Sequence, residues 1–132
     1  MPGYQAFVPE RMAEGARSFR YSPAVRVADV VHVAGHVGWD ENGDLPASAA
    51  DQARRTFENL AETLRCAGLT WSDVFEMTSY HVGLQDNFAE FSKVREEYVV
   101  SEPYPSWTAL GVQELARPGL LLEITVKARS TD

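Results

Sequence analysis

One carboxylate stands in an otherwise aliphatic run near the end of the chain, at Glu123 within residues 120–124. Burial disfavours the charged form of a carboxyl group, so apolar surroundings would raise its pKa and let it hold or protonate a water molecule. Most strand carboxylates are solvated or ion-paired instead, and Lys127 or Arg129 could pair with this one. Spacing alone therefore leaves a catalytic role and a surface role open for Glu123.

Alternation along two predicted strands indicates which side chains surround Glu123. The later strand has one wholly apolar face, formed by Leu120, Leu122, Ile124 and Val126, and Glu123 lies on the other. In the preceding strand we expect Trp107, Ala109 and Gly111 to share the face of Glu123. A face that carries an indole and an acid indicates contact with a ligand or another chain rather than with bulk water.

The three histidines offer no predicted metal site. His32 and His36 would lie about 13 Å apart along a strand, too far to bind one metal ion, and no cysteine or carboxylate completes a set. His81 shares its parity with Met77 and Ser79 and could face the same cleft as Trp107. There it could act as an acid or base, or serve as a hydrogen-bonded structural histidine.

Charge and composition narrow the function classes. The formal net charge is −7 and no cluster of Lys and Arg is visible, which disfavours non-specific nucleic-acid binding.

The single cysteine, Cys66, allows no internal disulfide, which fits a reducing cytoplasm. We predict that it is a buried, inert thiol. No membrane span, secretory signal, phosphate-binding loop or dinucleotide fingerprint is found, so we expect a cytoplasmic protein without a cofactor.

The predicted elements follow the order β-β-α-β-α-β-β within one domain of 132 residues, after an irregular arm over residues 1–20. The first helix has Ser48 as its N-cap and ends near Gly68, and the second covers about 87–99. Both helices need an apolar surface to cover, which predicts an α+β two-layer sandwich with two helices on one face of a mixed sheet. Self-association would hide the other face.

The C-terminal residues carry a family resemblance. This segment resembles the end of the Rid proteins, also called the YjgF/YER057c/UK114 family. The matching residues are Pro105, Thr108 and Leu110-Gly111-Val112, followed by Leu115-Ala116, Pro118-Gly119 and the Leu-Leu-Leu-Glu-Ile run. The likeness extends upstream through residues 21–25, 33–36, 52–68 and 87–98. The resemblance implies a chorismate mutase-like fold, a homotrimer and ligand clefts at the subunit boundaries.

The resemblance also implies roles for single residues. It gives Glu123 the position of the glutamate that holds the hydrolytic water in imine and enamine deaminases. It places Tyr21 at the mouth of the cleft and Gly35 where the backbone approaches the ligand. Read without the resemblance, Tyr21 could be a half-buried packing residue and Gly35 a bulge or bend.

Three positions depart from the family pattern. Trp107 stands where the imine deaminases have an arginine that grips the substrate carboxylate, Ser92 where an asparagine is common, and Ala109 where a cysteine often lies. An indole has one donor and no charge, so imines derived from amino acids become poor candidate substrates. Trp107 would favour an apolar, aromatic or cationic ligand, or would only fill a subunit interface.

Three functions remain after these departures. The first is a Rid-like hydrolase that deaminates an imine, an enamine or a related small molecule. The second is a metabolite-binding or chaperone-like module of the same fold without turnover, because a fold does not guarantee chemistry. The third is a ribonuclease or translation inhibitor, which the acidic charge and the missing basic stripe place last.

Overall fold

The computed structural model describes residues 3–130. Its six strands are β1 Gln5–Phe7, β2 Ala24–Val27, β3 Val30–His36, β4 Val74–His81, β5 Ser106–Gly111 and β6 Leu122–Arg129. Its helices are α1 Ala13–Phe19, α2 Ala49–Cys66 and α3 Leu84–Tyr98. The strands form one mixed sheet in the order β1-β2-β3-β6-β4-β5, in which only β4 and β5 run parallel. The predicted α+β class and the mixed sheet are confirmed.

The N-terminal segment differs from the irregular arm predicted over residues 1–20. Gln5–Phe7 pairs antiparallel with β2, and a 3-10 turn at Glu10–Met12 leads into α1. Arg11 fixes this turn to α2, since its guanidinium donates to the Glu62 carboxylate at 2.6 Å. The prediction was wrong because this segment is stabilised by contacts with distant residues rather than by a local pattern.

Helix α2 supplies most of the apolar cover of the sheet. The Ser48 hydroxyl accepts a hydrogen bond from the amide of Asp51 at 3.1 Å, which confirms the predicted N-cap. The helix is followed by Gly68 with a φ of 78°, a backbone conformation that favours glycine. The side chains of α2 that pack on the sheet are fully buried: Ala53, Phe57, Leu60 and Leu64.

The strand register decides which residues lie on the face covered by α2 and α3, the helix face, and which lie on the opposite, open face. Met77 pairs with Trp107 of β5 and with Val126 of β6, so all three side chains point to the helix face. Glu123 pairs with Tyr80 instead and lies on the open face. The expectation that Trp107 and Glu123 share a face was therefore wrong.

The error has a geometric cause. Alternation within one strand shows which of its residues share a face, but not which face of the sheet that is. Strands β5 and β6 are not neighbours, because β4 lies between them. The relative phase of Trp107 and Glu123 is set by two pairings through β4, which the sequence pattern does not contain.

Candidate active site

Glu123 lies directly over Gly35, at an irregular point of the β3–β6 pairing between Val33 and His36. A Cβ atom placed on Gly35 would overlap Oε2 of Glu123 and would stand 2.7 Å from its Cδ. Real Cβ atoms do not approach another carbon so closely. Gly35 therefore leaves the space that the carboxylate occupies on the open face.

The Glu123 carboxylate has no hydrogen-bond donor or ion-pair partner among residues 3–130. The two cations considered as partners are used elsewhere: Lys127 pairs with Glu76 at 3.1 Å and Arg129 with Asp29 at 3.5 Å. Burial raises the pKa of Glu123 above its ordinary value. An unpaired, half-buried carboxylate with a raised pKa is typical of a functional site.

The neighbours of Glu123 on the open face are aromatic and aliphatic. Tyr80 lies opposite Glu123, and Leu110 lies opposite Tyr80 on the outer strand β5. Leu110 is 44% exposed although it lies on a strand. Tyr21, predicted at the cleft mouth, precedes β2 and is 45% exposed, and partial burial raises the pKa of its hydroxyl.

Trp107 lies in a second group of residues, on the helix face at the outer edge of the sheet. Its ring stacks on Phe88 of α3, with centroids 5.6 Å apart and planes 6° from parallel. The guanidinium carbon of Arg95 lies 4.0 Å from the Trp107 ring centroid. Two side chains of the same helix thus contact the indole, and the cation that it attracts comes from the protein itself.

His81 belongs to this second group but is fully buried. The indole N–H of Trp107 donates to the Ser79 hydroxyl at 2.9 Å, and the same hydroxyl lies 2.8 Å from Nε2 of His81. The His81 ring also contacts Phe91 edge to face at 4.6 Å. Burial lowers the pKa of His81, so the ring is neutral at pH 7. Of the two roles considered, this geometry favours the hydrogen-bonded structural histidine.

The remaining predicted residues also lie on the helix face or beside it. Ala109 pairs with Ser79, two positions beyond Trp107 along β5. Ser92 is half-buried on α3, and its hydroxyl oxygen is buried without a hydrogen-bond partner. The predicted site residues thus form two groups within one chain: Glu123 with Gly35 on the open face, and Trp107, His81, Ala109 and Ser92 on the helix side.

Two residues that the sequence analysis did not single out position these groups. The buried side chain of Gln52 donates to the carbonyls of Pro46 and Gly119 and accepts from the amide of Leu121, each at 2.9 Å. It thereby fixes the segment that leads into β6 and Glu123. Arg95 lies three residues after Ser92 and seven after Phe88, a helical spacing that could have placed it beside Trp107.

Other features of the surface do not belong to either group. A cleft of about 590 Å³ lies near the start of β4 and of β5. It is lined by aromatic residues such as Trp71, Phe75 and Tyr104 and contains no predicted site residue.

Cys66 is exposed at the end of α2, so the prediction of a buried thiol was wrong. Over residues 3–130, no helix is long and apolar enough to cross a membrane, and no three His, Cys, Asp or Glu side chains are grouped to hold a metal ion.

The family model described as endoribonuclease L-PSP matches residues 13–130. The chain belongs to this family. Its resemblance to the Rid (YjgF/YER057c/UK114) proteins is confirmed with it, because the relatives and structural neighbours carry these names.

Some relatives of this Rid-family chain are named only by their family, and others are named as enzymes. It is 41% identical over 110 residues to the RutC family protein YjgH of Escherichia coli, covering 83% of this chain and 82% of that protein. A solved structure of protein YjgH has a TM-score of 0.90, 36% identity and 99% coverage of both chains. The 2-iminobutanoate/2-iminopropanoate deaminase of Bos taurus is 30% identical over 101 residues, covering 75% of this chain and 72% of that one.

Proposed function

We propose that this Rid-family protein is a hydrolase that deaminates an imine, an enamine or a related compound. The observation that carries the proposal is the Glu123 carboxylate, half-buried over Gly35 and free of any partner in residues 3–130. Such a group can hold a water molecule and exchange a proton with it. The similarity to a named imine deaminase supports this reaction class.

The proposed reaction adds water to a carbon–nitrogen double bond. As the water oxygen bonds to the imine carbon, Glu123 accepts one of its protons and returns it to the nitrogen. The proton of the newly added hydroxyl then passes to the nitrogen, the C–N bond breaks, and ammonia leaves behind a carbonyl product. The backbone near Gly35 and at Ala109 would polarise the substrate or bind the leaving group.

We further propose that the complete site is shared between subunits of a homotrimer in the cytoplasm. Within one chain, Glu123 and Trp107 lie on opposite faces of the sheet, with β4 between their strands. A small substrate cannot contact both groups through the sheet. A neighbouring chain that brings its β5 edge to the open face would put the two groups side by side, and closed symmetric assemblies satisfy this geometry.

The experiment is ammonia release from a panel of imines, generated by an amine or amino-acid oxidase and differing in side chain. We expect the wild-type protein to accelerate hydrolysis of some of them and Glu123→Gln to slow it by about 10²–10⁴-fold. Glu76→Gln changes the same group at an ion-paired position and should leave the rate unchanged. Equal rates for wild type and Glu123→Gln over the whole panel would exclude the proposal.

A binding module without turnover is the second candidate, favoured by the indole at position 107 where the imine deaminases have an arginine. It predicts metabolites that raise the thermal midpoint of the protein without being consumed. The same panel separates the two functions, because a hydrolase accelerates ammonia release above the spontaneous rate and a binding module does not.

A further inference from the structure

His36 ends strand β3 next to Gly35, but its side chain lies on the other side of the sheet. Its pairing with Ile124 puts the imidazole on the helix face, whereas Glu123 lies over Gly35 on the open face. The imidazole is only 6% exposed, so it cannot contact a ligand bound on the open face. Any effect of His36 on Glu123 must therefore pass through the backbone of β3.

The backbone of β3 forms a bulge directly before His36. Between the pairs that Val33 and His36 make with β6, two residues of β3, Ala34 and Gly35, face a single residue of β6. Such a bulge disrupts the ladder of hydrogen bonds, so its conformation depends on support from other polar groups. Because Gly35 lies in this bulge, the space for the Glu123 carboxylate depends on how the bulge is held.

The His36 ring supplies a hydrogen bond to this bulge. Its Nδ1 atom lies 2.7 Å from the carbonyl oxygen of Ala34, which can only accept, so Nδ1 carries the proton and donates. The other ring nitrogen, Nε2, then accepts from the Thr63 hydroxyl at 2.7 Å. Burial lowers the pKa of His36, which keeps Nε2 free of a proton and able to accept. The two contacts together select one tautomer and one orientation of the ring.

Helix α2 is the support for this pair of hydrogen bonds. Thr63 is fully buried on α2, on the side that packs against the sheet. Its hydroxyl has one proton, and the His36 nitrogen is a stronger acceptor than the sulfur of Met12, which lies 3.4 Å away. The hydrogen bonds therefore connect α2, through the imidazole, to the Ala34 carbonyl in the bulge.

We propose that His36 is a positioning residue of the candidate active site: its imidazole, oriented by Thr63, fixes the bulge at Ala34-Gly35 and thereby the place of Glu123. His36 is not a catalytic residue, because its side chain and the carboxylate lie on opposite faces of the sheet. The inference rests on the proposed function for its effect on the rate. Its effect on Glu123 is measured without any substrate.

The first test is NMR spectroscopy of the full-length protein. Nitrogen spectra of the wild type should show the proton of the His36 ring on Nδ1. Carbon spectra of the carboxyl groups, in which Glu123→Gln identifies the signal of Glu123, give the pKa of that carboxyl. In His36→Leu this pKa should fall toward its ordinary value, because an unsupported bulge no longer holds the carboxylate in its half-buried place. His36→Gln, whose amide can donate to Ala34, should restore the raised pKa in part.

Thr63→Val tests the connection to α2, and Thr56→Val is its matched control. Both variants remove the hydroxyl of a fully buried threonine from the same helix, but the Thr56 hydroxyl donates to the backbone carbonyl of Gln52 within that helix. Thr63→Val should lower the pKa of Glu123 as His36→Leu does, and Thr56→Val should leave it unchanged. In the imine panel, His36→Leu and Thr63→Val should lower kcat about tenfold or more, with smaller changes in KM, because the proposed catalytic group is displaced.

Three results would overturn the positioning role: a His36 proton on Nε2, a Glu123 pKa that is the same in the wild type and in His36→Leu, or equal effects of Thr63→Val and Thr56→Val. Thermal midpoints show whether each variant is folded. If His36→Leu does not fold, His36→Gln and Thr63→Val still provide the comparison with the wild type. A wild type that hydrolyses no imine would exclude the proposed reaction, whereas a Glu123 pKa that depends on His36 would still support this inference.

Discussion

Glu123 occupies the space that a side chain on Gly35 would need. A Cβ atom at Gly35 would stand 2.7 Å from Cδ and 3.0 Å from Cγ of Glu123, besides overlapping its Oε2. The φ of Gly35 is not among the positive values of the chain, so the backbone itself would accept a side chain there. The glycine is therefore required by the position of the carboxylate rather than by the backbone.

Gly35→Ala should reduce both stability and activity through this contact. The atoms that must move belong to the flexible end of Glu123, so the cost should be about 1 kcal/mol, at the low end for overpacking, and the shift moves the group proposed to hold the water. The free energy of unfolding in urea measures the first effect, and the imine panel measures the second.

A double-mutant cycle provides the control for Gly35→Ala. In a Glu123→Ala background the Gly35→Ala substitution should cost less than about 0.5 kcal/mol, because the atoms it would meet are gone. An equal cost in both backgrounds would show that the glycine is needed for another reason.

Glu123→Gln should stabilise the folded protein at pH 7. Burial raises the folded-state pKa of Glu123 above 4.5, so the charged form that prevails at neutral pH is disfavoured in the folded state. The gain should decrease as the pH falls through the raised pKa and vanish below 4.5, where wild-type Glu123 is protonated in both states. Unfolding in urea at pH 7 and pH 4 measures it, and a gain that grows on acidification would contradict the assignment.

Because His81 and His36 are buried, we expect the free energy of unfolding to decrease as the pH falls below neutral. Burial lowers the pKa of His81 and of His36 below 6.5, so the unfolded chain binds protons that the folded one resists. Stability from these groups is present above pH 6.5 and is lost as the pH falls toward their folded values. His81→Gln should flatten the dependence of the unfolding free energy between pH 7 and pH 5. A pH dependence that His81→Gln leaves unchanged would contradict this assignment.

Gln52→Ala should destabilise the fold by about 2–4 kcal/mol, because it removes three hydrogen bonds from a fully buried side chain. It should also lower activity, since those bonds hold the segment before β6. Gln85→Ala on the exposed side of α3 should cost less than about 0.5 kcal/mol. Similar unfolding free energies for the two variants would contradict this role of Gln52.

Local sequence patterns were sufficient to predict much of the secondary structure. The Ser48 cap predicted the start of α2, because an N-cap depends only on neighbouring residues. Non-local relationships were not contained in these patterns. The face of Trp107 depends on its pairing with Met77, and the stack of Arg95 on Trp107 depends on how α3 crosses the edge of the sheet.

The residues of the candidate site divide in the same way. Glu123 and Gly35 could be singled out by residue type and resemblance, but their mutual contact follows from the irregular β3–β6 pairing. The burial of His81 could not be predicted, because its neighbour Phe91 comes from α3. The sequence therefore identified the chemical groups better than it identified their surroundings.

Subunit complementation tests the central proposal, which is a site shared between two chains. One chain supplies Glu123, and the other supplies the group of residues on its helix side that contains Trp107. Chains carrying Glu123→Gln and chains carrying Trp107→Ala are each expected to be inactive as pure oligomers. In oligomers assembled from equal amounts of both, about a quarter of the clefts combine two unaltered halves, so the mixture should recover about a quarter of wild-type ammonia release. Mixed oligomers no more active than either parent would contradict a shared site.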